Sequence, residues 1–214
     1  METSRTTISA IIFDAGDILV HQIPDDKVKA WNKFLTHYHN SKMDNKEYFT
    51  QLYEKVRTLG IDSNFEIVSP YLSTEPRFKI SLIEEYEIEK WWKNPDPWLF
   101  ETISKFWKIG YKIGILTDSA LSSRTIREVL SQLSPYVHKI VSSRDVGVMK
   151  PDKQMYSTIL SELKTPPNKS LFIAHDPDEI KGALNSGLLC INFEYIGNLK
   201  KLFEFIKRKY VLEQ

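Results

Sequence analysis

Four short apolar segments rich in β-branched residues restrict what this chain can fold into. They are Ile8 to Phe13, Lys112 to Leu116, Ser170 to Ala174 and Leu188 to Phe193, with a weaker fifth, His138 to Val141, between the second and third. Runs of this length and composition read as strands buried on both faces. The intervening sequence is helical in period, as at Ile126, Val129, Leu130 and Leu133 within 125–133, where the apolar positions share one face. Strand and helix alternate from about residue 97 to the end, which predicts an α/β fold, a parallel sheet covered by helices on both faces.

The segment 23–95 interrupts this pattern. It follows a strand yet shows only helical periodicity, for example at Val28, Trp31, Phe34, Leu35 and Tyr38, and is expected to be an inserted α-helical cap on a core made of 1–22 and 96–214. Its aromatic stripe (Trp31, Phe34, Tyr38, Tyr48, Phe49, Tyr53) is read as packing within the cap, with some members lining a pocket. Trp91-Trp92, just before Pro95, reads as packing at the junction of cap and core. Lys200-Lys201 and Lys207-Arg208-Lys209 mark the solvated face of a C-terminal amphipathic helix.

With 214 residues, 42% of them hydrophobic, the chain can bury a substantial core. Its 29 basic and 28 acidic side chains leave a net charge of +1, which gives no electrostatic reason to expect nucleic acid or an anionic membrane. A small-molecule partner is expected instead, with the protein a monomer or homodimer. Cys190, the single cysteine, has no internal partner and sits in an apolar run, so it reads as a packed hydrophobe of a reducing compartment. The apolar stretch from Ile8 to Val20 is broken by Asp14 and Asp17 and does not read as a secretory signal. No run is long enough to span a bilayer, and a cytoplasmic protein is expected.

Ligands of parallel sheets bind beyond the carboxyl ends of the strands, so the polar residues there carry the chemistry. The first strand ends in Asp14, followed by Gly16 where the backbone can turn tightly; the bland alternative is a carboxylate that caps its own turn. The second ends Thr117-Asp118-Ser119. Lys150 stands before Pro151, and the plain reading puts Pro151 at the first position of the next helix with Lys150 on the surface. The strand from Ser170 to Ala174 ends in His175-Asp176-Pro177-Asp178-Glu179, with Gly182-Ala183 one turn further on.

Together and in this order, Phe13 to Val20, Ile115 to Ser119, Val146 to Asp152, and Leu171 through Gly182-Ala183 to Gly187 resemble the four motifs of the haloacid dehalogenase-like hydrolase superfamily. The resemblance covers nearly the whole chain. It implies a Rossmann-like core with the cap over the active site, and a Mg²⁺-dependent phosphatase of a small phosphorylated metabolite working through a covalent aspartyl-phosphate. In that scheme Asp14 is nucleophile and metal ligand, and the carbonyl of Gly16 is a second ligand. Thr117 would hydrogen-bond a phosphate oxygen. Lys150 would offset the phosphoryl charge and hold Asp14 ionised, as a cation within about 4–6 Å does. Asp118 and His175 are further substrate contacts, and Asp176 and Glu179 candidate metal ligands.

The pattern also departs from the family. Gly16 stands where many of its phosphatases carry an Asp as general acid and base, a contribution of roughly 10²- to 10⁴-fold, so acyl or anomeric phosphates, with good leaving groups, would suffer least. Asp17 either ties down its own turn or takes over the proton, and His21 is either a proton carrier or a surface histidine. Counting back from Gly182-Ala183, Ala174 stands where a metal-binding Asp is usual. Asp176 and Glu179 bind metal on one reading and on the other form a capping box around Pro177. His175 is a poor Mg²⁺ ligand, since that ion prefers oxygen, and suits a substrate contact. Two other functions stay open. Gly16 and Ala174 favour a catalytically impaired relative that binds a phosphorylated ligand or a protein partner. The other is metal-free carbon–halogen hydrolysis, against which Gly16 stands where a tyrosine is typical.

Overall fold

The computed structural model describes residues 5–20, 57–58, 87–88, 92 and 95–213. The expected helical cap over 23–95, its aromatic stripe, Trp91 and the histidine at 21 therefore lie outside the described residues, apart from Arg57, Thr58, Glu87, Ile88, Trp92 and Pro95. The elements in chain order are β1 (Thr6–Ile8), β2 (Ala10–Asp14), α1 (Leu99–Ile109), β3 (Lys112–Thr117), α2 (Ser123–Val129), β4 (Lys139–Ser142), α3 (Ser143–Val146), α4 (Lys153–Leu163), β5 (Ser170–Ala174), α5 (Pro177–Asn185), β6 (Leu189–Asn192), α6 (Leu199–Lys209) and β7 (Tyr210–Leu212).

The expected α/β architecture is observed. Five parallel strands form a sheet in the order β4-β3-β2-β5-β6, and β1 pairs with β7 in a separate two-stranded ribbon. In β2 every residue is buried, and alternate side chains serve opposite faces, as the pleat requires. Ile11 and Phe13 pack with Ile113, Ile115, Leu171 and Ile173 beneath α1 and α6, through Ile103, Phe106, Leu202 and Ile206. Ala10 and Ile12 pack with Leu116 and Phe172 beneath α4 and α5, through Met155, Tyr156, Ile159 and Ala183. Each large aliphatic or aromatic side chain buried in this way contributes about 1.5–3 kcal/mol before its entropy cost. At Gly114 a Cβ would lie 2.9 Å from Leu163 Cδ1, so glycine in β3 lets α4 press against the sheet.

The boundaries differ from the sequence expectations in ways that have local causes. The first apolar segment splits at Ser9, whose N–H donates to Lys169 O (2.8 Å) and whose carbonyl accepts from Lys112 N (2.9 Å). The chain passes there from the β1–β7 ribbon to the main sheet. The helix expected over 125–133 ends at Val129, with Leu130 as its C-cap, and the chain continues as turns to Tyr136, where Leu133 N–H donates to Leu130 O three residues back. Leu130 and Leu133 are still buried. Pro151 does not open a helix: α4 begins at Lys153 with Asp152 as N-cap, and the Lys150–Pro151 peptide is cis. Cys190 is partly buried, and burial pushes its thiol up to about 12. Among the described residues no helix is long and apolar enough to cross a membrane.

Candidate active site

Because β2 lies between β3 and β5, its last residue, Asp14, reaches the centre of the sheet's carboxyl edge, opposite Leu116. A cavity of about 200 Å³ opens there, lined among others by Asp14, Gly16, Thr117, Lys150 and His175. Lys150 is not a surface residue. Its Nζ is buried and donates to Asp14 Oδ1 (2.5 Å), Glu179 Oε2 (3.0 Å) and Leu116 O (3.5 Å), which uses the three hydrogens an ammonium carries. Its backbone is fixed as well, since Lys150 N–H donates to Asp118 Oδ1 at 3.1 Å. Thr117, buried at the end of β3, faces the same cavity.

The protonation states follow from this packing. Burial alone would raise Asp14, but the charge of Lys150, then His175, outweighs it and holds the carboxyl below its ordinary range. Burial would likewise lower Lys150, but Asp14, Glu179 and Asp118 hold it firmly protonated. Asp118 is raised by burial, against the pull of Lys150. Glu179 is pushed up to about 7 by burial and by repulsion from Asp14, against the pull of Lys150. The Asp14 carboxylate is the main influence raising His175, against its burial.

The loop after β2 is tight. Leu19 and Val20 N–H both donate to Ala15 O, and Asp17 N–H donates to Val20 O at 3.0 Å. Asp17 has φ 57, a left-handed conformation that Asp tolerates better than most residues. It thus serves its own turn, while its Oδ2 reaches within 3.5 Å of His175 Nε2. The other ring nitrogen, Nδ1, lies 3.4 Å from Asp14 Oδ2. That nitrogen is buried and makes no hydrogen bond, so the contact is one of charge. An imidazole that turns a nitrogen to each of two carboxylates carries a hydrogen on both only as the cation.

The segment after β5 corrects two expectations. Counting along the sequence put Ala174 in the place of a metal-binding carboxylate, but Ala174 is the fully buried end of β5, and it is the side chain of residue 175 that faces Asp14. Asp176 spends Oδ1 on the N–H groups of Asp178 (2.7 Å) and Glu179 (3.2 Å), as the N-cap of α5. The capping box is only half formed, because Glu179 turns to Lys150 instead.

Two cavity residues carried no sequence signal. Glu87, buried, accepts from Ser119 Oγ (2.5 Å) and from Ala120 N–H (3.0 Å), fixing the loop after β3. Arg57 lines the cavity, and its carbonyl accepts from Ser143 Oγ at 2.7 Å. Both lie in a segment of plain helical periodicity, where a charged residue reads as solvated. Trp92, expected at the junction, is buried and lines the cavity.

A family model described as haloacid dehalogenase-like hydrolase matches residues 11–193. The chain belongs to the haloacid dehalogenase-like hydrolases. This hydrolase is 22% identical over 211 residues to pyrophosphatase PpaX of Bacillus mycoides (strain KBAB4), covering 97% of this chain and 93% of the relative. Its fold is similar to that of an HAD phosphatase from Thermococcus onnurineus, with TM-score 0.69, 17% identity, and 94% of this chain and 99% of that one covered. It is also similar to an HAD family enzyme from Bacteroides thetaiotaomicron in complex with magnesium and inorganic phosphate, with TM-score 0.62, 12% identity, and 86% and 93% covered.

The Mg²⁺ that the family resemblance implies fits the donors of this hydrolase poorly. Mg²⁺ requires near-octahedral oxygen ligands. Here Asp14 Oδ1 is taken by Lys150 and by Ala15 N–H (2.9 Å), and Oδ2 faces an imidazole nitrogen. Asp176 caps a helix and Glu179 is bound to Lys150. Among the described residues no three His, Cys, Asp or Glu side chains gather into a metal-binding group.

Proposed function

We propose that this hydrolase is a phosphatase of small phosphorylated metabolites, with Asp14 as nucleophile. What carries the reading is the Asp14–Lys150 pair at the floor of the cavity: a carboxylate held ionised by a buried ammonium. A carboxylate oxygen of Asp14 forms a bond to phosphorus while the bond from phosphorus to the leaving oxygen breaks, and the electron pair departs with that oxygen. Water then attacks phosphorus, the aspartyl–phosphate P–O bond breaks and the carboxylate is regenerated; of the two water protons one stays on the inorganic phosphate released and the other passes to the departed oxygen. Thr117 would donate to a phosphoryl oxygen, and Lys150 would offset the charge gathered there. Asp118 acts through Lys150, whose backbone it fixes.

Gly16 offers no side chain for protonating the leaving oxygen, so substrates that leave without such help suit the site: acyl phosphates, anomeric phosphates and inorganic pyrophosphate, the last in keeping with the relative named a pyrophosphatase. Residues 1–22 and 96–214 form the hydrolase core in this reading, and 23–95 the cap that sets substrate choice. The single unpaired Cys190 supports a reducing, cytoplasmic setting. A binding-only relative is the competing reading, favoured by Gly16. Phosphate release from a panel of these substrates, run beside Asp14→Asn, tests the proposal. Turnover that disappears in the variant is expected, and no Asp14-dependent release from any substrate would end the phosphatase reading.

A further inference from the structure

The imidazole of His175 lies where the chemistry of two approaching anions calls for a cation. The Asp14 carboxylate has Lys150 Nζ at 2.5 Å from Oδ1 and His175 Nδ1 at 3.4 Å from Oδ2, so a protein nitrogen attends each oxygen. On its far side the ring turns Nε2 to Asp17 Oδ2 at 3.5 Å. Nδ1 is buried and makes no hydrogen bond, so the one acidic group it serves is Asp14. A divalent ion placed against Oδ2 would meet nitrogen where Mg²⁺ prefers oxygen, and Asp176, the next carboxylate along the chain, is turned to the cap of α5.

We propose that His175 supplies, together with Lys150, the positive charge at Asp14 that a divalent ion supplies in other sites, so that the chain takes up a phosphoryl group without a divalent cation. His175 is a positioning residue in this scheme, acting through the carboxylate it faces. The inference rests on the phosphatase reading above. Asp14 stays ionised yet is flanked by Lys150 and His175, and a phosphate entering beside Thr117 meets a carboxylate whose own charge is already offset. The arrangement also accounts for Asp17, which holds the imidazole from behind while its backbone closes the turn.

The test is calorimetric binding of inorganic phosphate to the full chain, in chelator and in excess Mg²⁺, with turnover measured under the same conditions. Equal affinity and Asp14-dependent turnover in both are expected. His175→Leu should weaken phosphate binding in chelator on the order of tenfold, the scale of one charge-assisted contact, with its melting temperature confirming a folded protein. His175→Asp, which puts an oxygen ligand against Asp14, should make binding and turnover depend on Mg²⁺, a gain that a merely structural histidine would not produce. Phosphate binding by the parent chain that vanishes in chelator overturns the proposal, and if Mg²⁺ then restores Asp14-dependent turnover the phosphatase reading survives. Undiminished binding by folded His175→Leu also overturns it. Absence of Asp14-dependent turnover under both conditions removes the phosphatase reading and the proposal together. The comparison of parent chain with and without chelator needs no variant to fold.

Discussion

The ammonium of Lys150 lies 2.5 Å from Oδ1 of Asp14 across 136 residues of sequence, with 1% of one side chain and 5% of the other exposed. Removing one partner of such a buried pair leaves an uncompensated charge. Lys150→Met is expected to cost about 3–5 kcal/mol of stability, read by chemical denaturation, and to abolish phosphate release. Lys150→Arg should not restore activity, because a planar guanidinium cannot direct three hydrogens from one point. Parent-like stability in Lys150→Met would show that the pair is not structural.

Gly182 sits where α5 meets the chain just beyond Lys150. A Cβ there would lie 2.7 Å from Pro151 Cβ and 2.9 Å from Pro151 O, and backbone cannot yield as a flexible side-chain tip does. Gly182→Ala is expected to destabilise by about 1–3 kcal/mol through overpacking and to lower turnover without altering any charged group. An unchanged melting temperature would count against this contact.

His138 gives the fold a dependence on acid. Its Nδ1 accepts Ile113 N–H at 3.0 Å, so the native state needs that nitrogen unprotonated, and burial, then Lys112, lowers its pKa from the ordinary 6.5. The unfolded chain takes up the proton first as pH falls. The contribution is therefore complete above 6.5 and is lost as pH falls through the lower native value. Denaturation of His138→Ala across this range should show a shallower loss of stability toward acid than the parent.

Glu179 works in the opposite sense. With its carboxyl pushed from 4.5 up to about 7, the native state holds a proton that the unfolded state has released, so its contribution is full below 4.5 and is lost as pH rises through about 7. Glu179→Gln, a neutral mimic of the protonated form, should gain on the parent in melting temperature between about pH 5 and about pH 8. A constant difference would indicate that Glu179 stays ionised throughout.

Much of the core was legible in the sequence because buried parallel strands announce themselves as short apolar runs. Ser170–Ala174 is a strand at the expected bounds, and Lys112 to Leu116 extends by one residue to Thr117. The break at Ser9 was hidden, since Ile8 and Ala10 are equally apolar and only pairing with β7 separates them. At the site, Asp14, Thr117 and Lys150 could be found because each ends a strand or precedes a proline. The direction of the side chains at 174 and 175 could not, because it depends on where β5 releases the backbone. Glu87 and Arg57 reach the cavity from a segment whose period carries no information on which polar face turns inward.

The central strand β2 pairs only with segments distant along the chain: Ile11 stands opposite Ile113 on one side and Leu171 on the other. Chain closure over such separations is slow relative to local helix formation. On the proposed function, a ribosome-bound chain that has presented Asp14 and Lys150 but not yet β5 still lacks one side of the groove and the imidazole of His175. With Asp14 as the proposed nucleophile, reactivity arises late, as a property of the finished sheet, and partly folded chains should neither capture phosphate nor become trapped as phosphorylated intermediates during synthesis.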